Sequence, residues 1–291
     1  MQHLKLKTLL AAVLALQFHT TLAAPASDRI TVTVRGKGPD VVLIPGLACS
    51  SAVWDATAKQ LEEHYRLHLV QIAGFGNANA GANASGPVLQ PTVEAIDLYI
   101  KTNHLKSPSI VGHSAGGLMG IMLAIQHPDE VGNLMIVDSM PFLGVLMGAT
   151  DATNAQPQAA GFRDMILNET QDAYAQGEND FLGNMVKSPE GLKLATKWAI
   201  ASDKSVVARA LYEDMTTDLR PDLKKIKAPV TLLYPWDSQS GQPRETTDKL
   251  YQDSFASLPG AKLVCIEDSR HFIMFDQPAK FAAQLDAFLK R

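Results

Sequence analysis

The 291-residue chain has no excess of positive charge: 26 Lys and Arg stand against 30 Asp and Glu, for a net charge of −4. A nucleic-acid partner needs a basic face, and this balance supplies none. Cysteine is scarce. Cys49 and Cys265 are the only two, too few to read as a disulfide scaffold. Cys265 lies in the apolar run Lys262-Leu263-Val264-Cys265-Ile266 and reads as a core thiol. Charged residues make up 19% of the chain, an ordinary share for a globular protein. Internal repeats and low-complexity tracts are absent. The apolar run over residues 9–16 is too short to span a bilayer, so stable membrane insertion is not expected.

That short run does have a use. Lys5 and Lys7 precede it, and small residues follow at Thr21, Ala23, Ala24 and Ala26. A positive segment, an apolar core and a small-residue site make an export signal, with cleavage expected after Ala23 or Ala26. No cysteine stands at the junction to accept a lipid. The mature protein is expected in the periplasm or outside the cell.

The chain is organised around Ser109-Ile110-Val111-Gly112-His113-Ser114-Ala115-Gly116-Gly117. An apolar strand runs into Gly-x-Ser-x-Gly, and small and apolar residues continue through Ile125 as a helix. This pattern is a nucleophile elbow. A serine on so sharp a turn has a strained backbone, and the residues two before and two after it are pressed together. Glycine at 112 and 116 avoids that clash. The helix start beneath the hydroxyl offers free N–H groups and a partial positive charge to a developing oxyanion.

Around the elbow, strands and helices alternate. Strands are expected at 30–35, 40–44, 66–72 and 134–138, with helices over about 51–64 and 92–105, Thr92 capping the second. Continuous apolar runs such as Asp40-Val41-Val42-Leu43-Ile44 suit a parallel sheet covered on both faces. Between residues 139 and 225 the rhythm breaks into helices alone, near 162–176, 179–187, 189–201 and 205–218. It then resumes with strands at 230–234 and 262–266 and helices at 245–258 and 278–290. The fold class is therefore α/β: a mostly parallel sheet flanked by helices, with an inserted all-helical cap. The expected division is a signal peptide over 1–26, a core of 27–138 and 226–291, and a cap of 139–225.

A serine hydroxyl needs a base, and the base an orienting acid. In this architecture they follow in the order Ser, acid, His, at the carboxyl ends of strands. His271, after the last strand, is the expected base. Two acids end strands: Asp237, after Tyr234-Pro235-Trp236, is preferred, and Asp138 is the alternative. The oxyanion donors are expected to be the backbone N–H of Ala115 and, from the loop Pro45-Gly46-Leu47, that of Leu47. Met140, Phe142 and Trp236 are the pocket candidates. The cap is rich in large apolar residues and carries no local cluster of acids or arginines, which points to an uncharged apolar substrate.

With these residues in place, the chain from about Ile30 onward resembles the α/β-hydrolase superfamily, in its serine-nucleophile branch with a helical cap. Gly112-His113-Ser114-Ala115-Gly116 matches the elbow. Gly74-Phe75-Gly76 is similar to the glycine turn after the family's fourth strand, and Arg270-His271-Phe272 with Gln277-Pro278 to its histidine segment. Pro45-Gly46 stands where the family usually has His-Gly, Gln71 lies near the place of a missing acid, and only one strand is evident before Val41. The resemblance implies hydrolysis of a small-molecule carboxylic ester or lactone through an acyl-enzyme, without metal or cofactor. A serine at the elbow argues against dehalogenases and epoxide hydrolases, which use aspartate there. The same triad also serves amide, peptide or carbon–carbon bond hydrolysis and perhydrolysis. A binding protein that has lost turnover is the remaining alternative. The oligomeric state is not legible.

Overall fold

The computed structural model describes residues 21–22, 27–258 and 260–290. The expected signal segment lies outside these apart from Thr21 and Leu22. The described residues carry an eight-stranded sheet in the order β1-β2-β4-β3-β5-β6-β7-β8. Its strands are β1 (Thr21–Leu22), β2 (Ile30–Gly36), β3 (Asp40–Ile44), β4 (Arg66–Ile72), β5 (Ser109–His113), β6 (Asn133–Val137), β7 (Val230–Trp236) and β8 (Lys262–Glu267). β1 and β2 are antiparallel to their neighbours, and the rest of the sheet is parallel. The family's extra first strand is thus present as a two-residue edge, β1, paired with Val34 and Thr33 of β2.

The buried runs behave as their composition demands. In β3, β5 and β6 only the first residue is partly exposed, and the remaining four of each are buried on both faces. Helices α1 (Asp55–Leu61), α2 (Leu89–Thr102), α3 (Ala115–Gln126), α8 (Arg244–Ser254), α9 (Ile273–Asp276) and α10 (Pro278–Leu289) belong to this α/β part of the chain. Trp54 is fully buried and stacks on Phe281 of α10, a core role. α2 starts at Leu89, earlier than the spacing predicts. Thr92 lies inside it, its hydroxyl donating to the Val88 carbonyl at 2.6 Å. The Glu213 carboxylate caps the helix instead, accepting the N–H groups of Val88 at 2.8 Å and Leu89 at 2.7 Å. A negative charge at a helix start is favourable, and here it comes from another part of the chain.

Between β6 and β7 stand four cap helices, α4 (Ala152–Asn168), α5 (Gln171–Met185), α6 (Pro189–Ala201) and α7 (Lys204–Thr216). The expected first break, near residues 177–178, falls instead at Glu169-Thr170. The Thr170 hydroxyl takes the Ala173 N–H at 3.2 Å and opens α5, while Asp151 opens α4 by accepting from Asn154 at 2.9 Å. The cap is bonded to the glycine-rich loop after β4. Asp203 donates its N–H to the Gly74 carbonyl at 2.8 Å, and Gly76 donates to the Ser202 hydroxyl at 2.8 Å. A side chain at Gly74 would run into Val206, which explains the glycine where loop and cap meet.

Candidate active site

Ser114 has φ 55° and ψ −127°, a left-handed conformation that a residue with a Cβ takes only under constraint. The constraint is the turn itself. A Cβ on Gly112 would lie 2.2 Å from the Gly116 carbonyl oxygen, and one on Gly116 would lie 2.4 Å from that of Ile44. The glycine requirement read from the sequence is therefore met by backbone atoms, which cannot yield. The second contact also brings the loop after β3 against the elbow, so that a Cβ on Gly46 would stand 3.0 Å from the Cβ of Ser114. Leu47 is thereby held beside the serine. Among the described residues neither the Leu47 nor the Ala115 N–H has an acceptor.

His271 and Ser114 line one cavity of about 630 Å³. The acid that orients His271 is Asp138, and here the structure corrects the preferred expectation. His271 Nδ1 lies 2.6 Å from Asp138 Oδ2, leaving the other ring nitrogen without a partner among the described residues. The Tyr251 hydroxyl donates to Asp138 Oδ1, and Tyr251 itself is buried and stacked on Tyr234 at 4.4 Å. Asp138 has φ 48°, and its N–H donates to the Leu233 carbonyl at 2.8 Å. The role of Tyr251 had no sequence signal, since it lies on a helix far from any motif.

Asp237 sits elsewhere for a reason of register. Val137 pairs with Leu233, so Asp138 is level with Tyr234 and Asp237 is three residues further along. At about 3.3 Å per residue that is about 10 Å beyond the level of Asp138. β7 runs on through Pro235 and Trp236, which pair with Ile266 and Glu267. Asp237 is buried and bridges Lys187 at 3.0 Å and Arg270 at 3.1 Å. Burial pushes its carboxyl up, but Lys187, the Gln239 N–H and Arg270 outweigh this and hold it below the ordinary range. Asp276 continues the junction, taking the N–H groups of Lys187, Ser188 and Arg270 at 2.8–2.9 Å. These two acids tie the end of α5 to the histidine loop.

His113 stands behind His271, fully buried, with ring centroids 4.6 Å apart. Its Nε2–H donates to the His271 carbonyl at 3.0 Å. Burial first, then the neighbouring imidazole, keep it well below the usual histidine range, so it is a neutral prop for the loop.

Of the expected pocket residues, Met140 lines the cavity and the other two do not. Phe142 is fully buried beneath the Arg220 guanidinium, which lies 4.6 Å from its ring centroid. Trp236 donates its indole N–H to the Gln242 carbonyl at 3.0 Å, away from the cavity. Cys49 lines it as a free buried thiol, pushed up to about 12 by burial. Cap residues supply much of the apolar wall, among them Leu143, Leu146, Met147, Phe162, Met165 and Phe181. The expectation of a cap without clustered acids is not met in three dimensions. Glu169, Glu178 and Asp214, scattered along the cap sequence, all line this cavity, and among the described residues no Lys or Arg does. Among the described residues no group of three His, Cys, Asp or Glu is arranged to hold a metal ion. No helix among them is long and apolar enough to cross a membrane.

Comparison with known proteins identifies the family. The pimeloyl-[acyl-carrier protein] methyl ester esterase of Nitrosomonas europaea is 27% identical over 89% of this chain and 98% of its own length. The enzyme of the same name from Aeromonas salmonicida is 40% identical over 48% of this chain and 52% of its own. Among solved structures, an esterase from Exiguobacterium antarcticum superposes with a TM-score of 0.75 at 18% identity, covering 94% of this chain and all of its own. The enol-lactonase of Burkholderia xenovorans LB400 gives 0.73 at 19% identity, over 90% of this chain and 96% of its own. At such identities these two likenesses establish the fold alone. The alpha/beta hydrolase family matches residues 41–284, which take in the elbow, the cap, Asp138 and His271, and the chain belongs to that family.

Proposed function

We propose that the protein hydrolyses carboxylic esters, lactones included, through an acyl-enzyme on Ser114. The observation that carries this reading is the pairing of His271 with Asp138 on the wall of the cavity that Ser114 also lines. With Nδ1 engaged by Asp138, the free nitrogen of His271 serves as the base. Ser114 Oγ attacks the ester carbonyl while His271 takes its proton. The carbonyl oxygen becomes an oxyanion, received by the N–H groups of Leu47 and Ala115. Collapse expels the alcohol, which takes the proton from His271. A water molecule then attacks the acyl-serine with His271 again as base, releasing the acid and restoring the hydroxyl. Asp138 stabilises the imidazolium in both halves, and Tyr251 holds Asp138 in turn.

The curated relatives support an ester over an amide, since their names specify a methyl ester. A cavity of about 630 Å³ is of a size to bury a small-to-medium acyl group. A panel of acyl esters, lactones and aminoacyl amides, assayed with and without EDTA, is expected to show esters or lactones turned over fastest and EDTA without effect. Aminoacyl amides with far higher kcat/KM, or abolition by EDTA, would sink this reading.

The same proposal includes export, on the strength of Lys5, Lys7 and the apolar run that follows. Cleavage after Ala23 or Ala26 removes β1, whose two residues contribute only the last rungs of the sheet edge. Intact mass of protein recovered outside the cytoplasm should correspond to a chain beginning at Ala24 or Ser27. A recovered chain that still begins at Met1 would refute processing by this route.

A further inference from the structure

Three acids among the described residues are buried: Asp97, Asp237 and Asp214. Asp97 bonds Lys101 at 2.8 Å, and Asp237 bridges Lys187 and Arg270. Asp214 is 7% exposed, lines the cavity from α7, and among the described residues has neither a hydrogen bond nor an ion pair. A carboxyl largely withdrawn from water and without a protein partner is costly unless something in the cavity completes it. Burial raises Asp214 to about 7, against the pull of His271. The cavity wall around it is otherwise mostly apolar, with Met215, Leu211 and Val207 from the same helix.

The occupant's chemistry follows from what surrounds the carboxyl. Glu169 and Glu178 line the same cavity, and Glu178 is itself raised by burial and by the Glu169 charge, against the pull of the Tyr174 hydroxyl. Among the described residues no Lys or Arg stands on the wall, so an anionic group entering this end finds no fixed cationic side chain to pair with. Among the described residues no three of these side chains are arranged as metal ligands.

We propose that Asp214 is the polar anchor of the substrate pocket, accepting a hydrogen bond from a hydroxyl or ammonium group carried by the ester substrate. This rests on the serine-esterase reading and narrows it: an apolar ester with one donor on the part that reaches α7, in place of a wholly apolar one. A site built around a buried acceptor discriminates by leaving that acceptor unpaired when the donor is missing.

The test uses two matched series at fixed chain lengths. In one the acyl chain of a 4-nitrophenyl ester ends in methyl, hydroxyl, ammonium or carboxylate. In the other the same ends are carried on the alcohol of an acetate ester. In at least one series the hydroxyl- or ammonium-ended substrate should exceed its methyl counterpart by about tenfold or more in kcat/KM, chiefly through KM, with the carboxylate worst. Ammonium above hydroxyl identifies a cationic substrate, and the reverse a neutral one. In Asp214→Leu the ratio of donor-ended to methyl-ended rates should collapse to near one. Asp214→Asn, which keeps the volume, guards against misfolding and should lose the ammonium preference. Absence of any donor preference in both series, or an unchanged ratio in folded Asp214→Leu, overturns the proposal. Failure of the parent reading is separate: it appears as turnover of the methyl-ended ester that does not depend on Ser114.

Discussion

Replacing Ser114 with alanine should lower kcat by at least about 10³-fold while the protein stays folded, because the covalent route is lost and only oxyanion binding and positioning remain. The fold should survive for a local reason. Alanine and serine both carry a Cβ, so the strain at φ 55° is the same for each, and the hydroxyl makes no hydrogen bond that holds the structure together. The turn is held by Gly112 and Gly116 and by the Leu118 N–H, which donates to the Ser114 carbonyl at 3.1 Å. The measurements are ester hydrolysis, circular dichroism and labelling by a fluorophosphonate. Labelled wild type, an unlabelled variant and an unchanged melt are the expected set. Folded Ser114→Ala with near-normal turnover would remove Ser114 from the mechanism.

The second large effect separates two aspartates. Asp138→Asn should cut kcat/KM by about 10³- to 10⁴-fold, because an amide in place of the carboxylate favours the wrong imidazole tautomer and cannot stabilise the imidazolium. Asp237→Asn should act on stability instead. It leaves the half-buried Lys187 and Arg270 without their shared counter-charge at the join of cap and histidine loop, at a cost of about 1–2 kcal/mol. Turnover per folded molecule should fall far less than in Asp138→Asn. The pH sign follows from the lowered carboxyl of Asp237. Its contribution is complete above the unfolded value near 3.8 and is lost as pH falls through the lower folded value. Thermal melts of the wild type should therefore weaken below about pH 4, and those of Asp237→Asn less so. A greater loss of kcat/KM in Asp237→Asn than in Asp138→Asn, at equal folded fraction, would restore Asp237 as the catalytic acid.

The choice between these acids marks how far local reading carried. Both residues follow the carboxyl ends of parallel strands that lie between the elbow and the histidine in the chain, and nothing in their immediate neighbours ranks them. The ranking depends on the Val137–Leu233 register, on the continuation of β7 past Pro235, and on Lys187, which lies fifty residues away and claims Asp237. The pocket shows the same limit. Large apolar residues in the cap were sound pointers to its wall, since composition alone supplies more of them than short helices can bury. Phe142 and Trp236 were not, because each found a different neighbour in Arg220 and Gln242. Glu169, Glu178 and Asp214 carried no signal as a group, for the α4–α5 turn, α5 and α7 bring them together only when the cap folds.

The elbow, the strands and their order along the chain, and the positions of Ser114 and His271 were set by the sequence alone. These depend on short-range physics: apolar runs that must be covered on both faces, glycines where backbone oxygens come within 2.2–2.4 Å of a Cβ, and a histidine placed just past the last strand. The orienting acid, the tyrosine behind it, the cap-to-loop junction and the unpaired carboxyl on α7 were decided only by tertiary structure. Each of these is a contact between residues distant in sequence, and its partner is chosen by register and helix packing that no local window contains.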